Sequence, residues 1–484
     1  MSTTISRSPT SYLRFGHARI DMTPPVGIYH PMWGAARHHR ATGVHRPLLG
    51  DVMALGPISS ADAPSTTMLR IQLDLVGMGK REYELLLDAL CRATELAEGQ
   101  IVVSFSHTHA AGLFTADRVA LPGGELIPDY LESLREQIGV AAVEAMRKMQ
   151  PCSITYGVGR SNMAANRDYW DAENNLYACG YNPDAPADDT VVVGRVCSQA
   201  GAIVASLVNY ACHPTTLAWE NTQISPDYVG AMRAVVEAHQ GAPCIFMLGA
   251  CGDLGPRHCH QGSTAVADQN GRQLGYAALA ALTALAPPMA DFAYAGPVIS
   301  GATLGTWQHA PFDAPRTAGS SRFHGNVHTL DLAMKPRPDS EALRQEMADW
   351  LAQQTAAAEQ GNAVAARDFG ARAERARRWL MRVASLPEGA DFPLLCAVHR
   401  LGDAIWVAVG GEPYNILQTE LRRRFPDQVL LISPLLGPMQ VAYLLPKERY
   451  GQGLYQEEPS ILAPGCLEAL LEHVANQIDE LLAS

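Results

Sequence analysis

Residues 101–109 read IVVSFSHTH: a short apolar, β-branched-rich run, then a serine and two histidines spaced by a threonine. Ile101–Phe105 has the length and composition of a strand, and groups that can bind metal or move protons follow it at once. The same pattern recurs along the chain. AIVASLVNY from Ala202 leads into Ala211-Cys212-His213-Pro214, and CIFML from Cys244 leads into Gly249-Ala250-Cys251-Gly252-Asp253. AIWVAVG from Ala404 leads into Gly411-Glu412-Pro413, and VLLIS from Val429 leads into a loop that reaches Tyr443. Helical patterns such as DYLESLREQIGVAAVEAMRKM from Asp129 and DYVGAMRAVVEAHQ from Asp227 lie between the runs. This alternation predicts an α/β protein with a mixed or parallel sheet core flanked by helices.

In open α/β sheets, ligands gather outside the carboxyl ends of strands. Five strands ending in polar groups therefore predict one convergent site. Two histidines and a carboxylate from separate strands, here His107, His213 and Glu412, match what catalytic zinc needs, with a position left for water or substrate. Other signatures are missing. There is no GxSxG elbow, HExxH, GxGxxG or Walker loop. The run Arg257-His258-Cys259-His260 is a second metal-competent cluster, but its members are too close along the chain to reach one ion together; it reads as a polar loop.

The chain has 484 residues, 47% of them hydrophobic, and a formal charge of −12. That apolar fraction suffices for a full core and excludes disorder. The negative balance argues against binding nucleic acid, which takes clustered Lys and Arg. No apolar run approaches the roughly 18 residues of a membrane helix, and the first residues lack a secretory h-region. Ten scattered cysteines without a CxxC pair fit a reducing, cytoplasmic setting. Residues 340–383 read as a helical arm broken near Gly361, and residues 301–330 as a long loop.

At the strand-end residues the sequence resembles the catalytic domain of the neutral/alkaline, non-lysosomal ceramidases. GHARIDMTPPVG near the start, HTHAAG at 107–112, Asn166-Arg167, NYACHPTTL at 209–217, GEPYN at 411–415 and the Tyr443-to-Tyr455 segment ending in LYQEEPS carry the likeness. The resemblance implies Zn²⁺ ligands at His107, His213, Glu412 and Tyr443, and active-site groups at His109, Arg167 and Tyr455. It places Asp253 and Gly255 against the substrate. His109 is expected on the same side of an extended segment as His107. The sequence departs from the family at Gly255, where family members carry a serine proposed as nucleophile, and at Pro438-Met439-Gln440, where they carry Asn-x-Tyr. Gly255 is expected in a turn that uses positive φ.

Together these readings give one catalytic domain over 1–484, without the C-terminal immunoglobulin-like domain of secreted ceramidases. It would act as a zinc-dependent hydrolase of an N-acyl amide or carboxylic ester. The expected partner is a small-molecule substrate, with no nucleic acid and no membrane span; a homo-oligomer stays open. The alternatives are an esterase or lactonase on the same scaffold, or a zinc-containing binding protein without turnover.

Overall fold

The computed structural model describes residues 4–59 and 66–483. Its centre is an eight-stranded sheet. From one edge to the other the strands are Cys244–Leu248, Ile203–Tyr210, Thr190–Ser198, Gln150–Arg160, Thr10–Asp21, Leu49–Gly56, Met68–Leu73 and Ile101–Phe105. The five inner pairings are antiparallel, and the outermost pair at each edge is parallel. The sheet is therefore mixed. Chain crossovers occur at its edges, and those edge strands carry the histidines.

Strand alternation sorts the side chains into layers. Leu69, Ile71 and Leu73, with Ile101, Val103 and Phe105, pack under the helices Lys80–Thr94, Ile127–Arg147, Tyr228–Gln240 and Thr264–Thr283. Buried positions of Ile127–Arg147 recur at 127, 131, 134, 138, 141, 142 and 145, one apolar stripe of an amphipathic helix. The opposite face packs on a second, four-stranded sheet: Phe323–Ala333, Asp391–Leu401, Ala404–Val409 and Val429–Ser433. Leu13, Phe15, Ile154 and Met247 meet Leu401, Trp406 and Leu431 between the sheets. The far side of the second sheet is covered by Ile416–Arg424 and Cys466–Ala483. The layers run helix, sheet, sheet, helix.

In a flat sheet of this order, the strands preceding His107 and His213 would stand roughly 30 Å apart. The sheet curls instead. Arg19 in the middle of the sheet donates to Cys244 O at one edge (2.8 Å). Arg233, on the helix that follows His213, binds Asp74, just past the end of the strand next to the other edge, at 2.5 Å. These buried pairs draw the two edges together over the Tyr228–Gln240 helix.

Residues 301–330 are not a loop. They form the strand Ala302–Pro311, the helix Ala314–Ser320 and most of the strand Phe323–Ala333. The first pairs with Ala290–Ser300 in a hairpin turning at Gly301 (φ +75°). Both faces of that hairpin meet solvent, so its sequence lacks the apolar alternation that marks a half-buried strand. Helices Ser340–Glu359 and Ala363–Ser385 flank Gly361, whose φ of +72° lets the chain reverse. Among the described residues no helix is long and apolar enough to cross a membrane.

Candidate active site

The Ile101–Phe105 strand ends in a turn built by its neighbour: Ser106 N–H donates to Leu73 O and His107 N–H to Leu75 O, both at 2.9 Å. His107 adopts φ +66°, a left-handed conformation that costs a histidine about 1–3 kcal/mol. That turn aims its ring inward and its Nδ1–H at Val76 O, 2.5 Å away. His213 follows the Ile203–Tyr210 strand, and its Nδ1–H donates to Cys251 O at 2.6 Å. Glu412 comes from the second sheet. It pairs in parallel register with Tyr443, and its N–H donates to Ala442 O at 2.8 Å. Gly411 before it has φ +70°, and a Cβ there would meet Leu444 at 2.7 Å; only glycine fits this crossing.

The three side chains then meet. His213 Nε2 lies 3.0 Å from Glu412 Oε2, and His107 Nε2 lies 3.3 Å from the same oxygen. Both histidines spend their Nδ1–H on backbone carbonyls, so in the Nδ1–H tautomer each ring turns its Nε2 lone pair toward the carboxylate. Three acceptors facing one another repel unless a cation lies among them. Burial, then the nearby Arg167 charge, holds His213 at about 4 and therefore neutral at pH 7. Burial works to raise Glu412, yet His107 and His213 hold it well below the usual carboxylate range. Imidazoles with carbonyl-bound second nitrogens, plus a carboxylate, are the donors a zinc ion takes. The donor set fits Zn²⁺.

The other expected residues gather around this point. Donor atoms of His107, His109 and His213 lie within 4.8 Å of one another. His109 Nε2 is shielded from solvent and has no partner. The segment is not extended, however: the left-handed turn at His107 sets the two rings 4.9 Å apart and nearly perpendicular. Burial, then the His107 and His213 rings beside it, drives His109 well below its ordinary value. Arg167, 6% exposed, donates through Nη2 to Gly252 O (2.7 Å) and lies 5.3 Å from the Tyr443 ring centre. Tyr443 and Tyr455 rings are 5.8 Å apart, so one tyrosine stands between the arginine and the other.

Asp253 and Gly255 line the back of the site. The Asp253 carboxylate accepts the Asn415 N–H at 2.6 Å, fixing the turn that follows Glu412. Burial raises Asp253 to about 6. Gly255 lies in the strand Leu254–Pro256, paired with Ala165, and not in a positive-φ turn. Its missing side chain would meet only Thr215 Oγ1 at 3.5 Å and Arg167 Cδ at 3.8 Å.

Sequence reading missed the rim. Trp33 stands over His109, ring centres 5.3 Å apart, and meets His260 (5.4 Å) and Trp219 (6.2 Å). Trp33 Nε1 is buried without a partner. His260, from the polar loop 257–260, thus faces the aromatic rim. No local spacing links positions 33, 219 and 260; only the fold does. Gln440, in the segment that departs from the family, donates to Ser385 O and ties the Tyr443 loop to the helical arm.

This architecture has solved counterparts. A neutral ceramidase from Pseudomonas aeruginosa superposes with a TM-score of 0.62 at 15% identity, over 99% of this chain and 75% of that one. A ceramidase complexed with C2 superposes with a TM-score of 0.64, also at 15% identity, over 98% and 76%. The chain has the neutral ceramidase fold. In this chain that fold brings the strand ends carrying His107, His213 and Glu412 together at one buried point. Neither a protein-family model nor a curated protein sequence matches the chain.

Proposed function

We propose that the protein is a zinc-dependent hydrolase of linear N-acyl amides or carboxylic esters. The observation that carries this reading is the convergence of His213 Nε2 (3.0 Å) and His107 Nε2 (3.3 Å) on the single oxygen Glu412 Oε2, with both Nδ1 atoms already bound to carbonyls. Tyr443, paired in register with Glu412, completes the ligand set. The ceramidase fold of the neighbours supports the choice of amide chemistry.

When bound, Zn²⁺ would polarise the scissile carbonyl and bring the pKa of water to about 7. The chain's own residues supply the rest. His109, kept neutral by burial and by its neighbouring histidines, takes a proton from the attacking water through its free Nε2. It then returns that proton to the leaving amine or alkoxide. Arg167 stays charged, pinned to Gly252 O, with its guanidinium facing Tyr443. Together with the Tyr455 hydroxyl it offers hydrogen bonds to the oxyanion that develops on the substrate. With glycine at 255 there is no side chain at that position to form an acyl-enzyme.

The test combines metal analysis with matched substrates. Purified protein should carry about one zinc per chain and hydrolyse N-acyl amides or esters of one acyl chain, losing that activity to chelators. Zinc without turnover of any amide or ester would instead favour a metal-containing binding protein.

A further inference from the structure

The helix Ala363–Ser385 forms one wall of the cleft and is anchored along its length. Glu374 accepts two hydrogen bonds from Arg118 (2.8 and 2.6 Å) and one from Arg378 (2.8 Å). Arg378 donates in turn to Met32 O, beside the rim residue Trp33. Trp379 Nε1 donates to Glu458 at 3.0 Å, and the Glu458 N–H donates to Tyr455 O at 3.2 Å. At the helix end, Ser385 O accepts from Gln440, three residues before Tyr443. Arg382 stands three residues from Trp379 and three from Ser385. Residues three apart on a helix share a face, so Arg382 points between the loops that carry Tyr455 and Tyr443.

The Arg382 guanidinium makes no hydrogen bond or ion pair among the described residues, and its Nε is shielded from solvent without a partner. It lies over the Trp379 ring, 5.2 Å from the centre, and the ionisable groups whose charges act on it include Tyr455, Glu458, Glu412 and Arg378. None of these neutralises it. Glu458 is taken by Trp379 and by Arg375 at 3.5 Å, and Glu412 faces the two histidines. Three arginines around it are paired: Arg118 and Arg378 with Glu374, and Arg375 with Glu458 and Glu346. Arg382 is half-buried, and its two Nη groups, free of any protein partner among the described residues, stay open to an incoming ligand; their planar donors match a carboxylate or phosphate. A cavity of about 550 Å³ lies against Trp379, lined also by Met334, Lys335, Arg337 and Ile461.

We propose that Arg382 is a specificity-determining residue of this site. It binds a carboxylate carried by the substrate, so the preferred substrates are acidic N-acyl compounds, such as N-acyl amino acids, over neutral lipid amides. The proposal rests on the hydrolase reading above. Its ligand chemistry is a carboxylate on either half of the scissile amide, and the experiment separates the two.

The zinc-loaded protein is assayed with N-lauroylglycine, with its neutral counterpart N-lauroylethanolamine, and with a monoamide of a long dicarboxylic acid. The carboxylate compounds should be favoured in kcat/KM by about tenfold or more, as a charge-assisted hydrogen bond implies. A preference for the first places the carboxylate on the amine half, and for the third on the acyl half. Arg382→Gln should bring the charged-to-neutral ratio close to one, mainly through KM, and Arg382→Lys should restore part of it. The inference is overturned by equal kcat/KM for charged and neutral compounds in the native protein, or by an Arg382→Gln loss equal for both. Should no amide or ester turn over, the hydrolase reading fails, and calorimetric titration with N-lauroylglycine decides the inference separately. Binding that Arg382→Gln weakens about tenfold upholds the carboxylate site; absent or unaltered binding refutes it.

Discussion

His213 and Tyr455 face one cleft, yet His213 is fully enclosed and Tyr455 is 48% exposed. The contrast runs through the whole site. His107, His213 and Glu412 sit at strand ends whose backbone N–H groups are spent on neighbouring strands or loops. Trp33 and Tyr455 lie on connections that side chains of the Ala363–Ser385 helix help to hold, through Arg378 to Met32 O and Trp379 to Glu458, and His260 packs on Trp33. A floor fixed by backbone pairing holds a ligand geometry through many surface changes. A rim fixed by side-chain contacts can be retuned one residue at a time. Chemistry belongs to the floor and selectivity to the rim.

Breaking the floor should have the largest effect. His107→Ala and His213→Ala each remove one of three converging donors and should lose most of the bound zinc, with activity falling to background. Elemental analysis beside the rate assay checks this; full zinc retention in both variants would refute the ligand assignment. Next come the groups that touch the reacting atoms. His109→Ala, Arg167→Ala and Tyr455→Phe should keep zinc while losing roughly two to four orders of magnitude in kcat. Near-normal turnover in all three would leave the proposed roles without support.

The anchor between floor and rim should give a smaller, pH-linked effect. Burial works to raise Glu374, but Arg378 and Arg118 outweigh it and hold its carboxyl at about 2. A carboxylate with a depressed folded value stabilises above its unfolded pKa and loses that contribution as pH falls. The window therefore runs from about 4.5 down to 2, and the depression is worth about 3 kcal/mol. Glu374→Gln should lower the unfolding midpoint and flatten this acid limb. It should also raise KM by up to about tenfold with little change in kcat. Hydrogen exchange along 363–385, followed as pH falls, reads the arm directly; protection identical to the native chain would mean that Glu374 does not hold it.

How much of this was legible in the sequence follows the same division. Strand ends announce themselves, because apolar runs stop abruptly at polar groups, and His107, His213 and Glu412 could be picked out singly. The curl that brings opposite sheet edges together could not, since it depends on Arg19 and Arg233 reaching partners far along the chain. Nor could the left-handed His107, which looks like any residue leaving a strand. The hairpin 290–311 escaped notice for a related reason. Its pairing rests on exposed cross-strand contacts such as Phe292 stacked on Trp307, and its faces carry no apolar–polar alternation. Arg382 lay in a tract that reads as plain surface helix, and only its position between two anchors sets it apart.

The smallest effect is expected where floor meets substrate, at Gly255. A serine here needs no unusual backbone, because the residue lies in an antiparallel strand and its φ is not positive. It needs little space either: its Cβ would meet Thr215 Oγ1 and Arg167 Cδ at ordinary contact distances. Replacing a strand glycine gains roughly 0.5–1 kcal/mol in backbone entropy, and burying a hydroxyl offsets a similar amount unless it finds a partner. Thr215 Oγ1 is close enough to become one. Gly255→Ser should therefore fold with an unfolding midpoint within a few degrees of the native protein and turn over substrate within about threefold of it. The native chain, with no side chain at this position, should show no burst of acyl accumulation and no inactivation by serine-directed sulfonyl reagents. If the variant gained an acyl adduct and a large rate increase together, the back of the cleft would be a disabled nucleophile site and not a passive wall. A covalent acyl adduct trapped on the native protein by rapid quench and mass spectrometry would overturn direct water attack altogether, even with zinc confirmed.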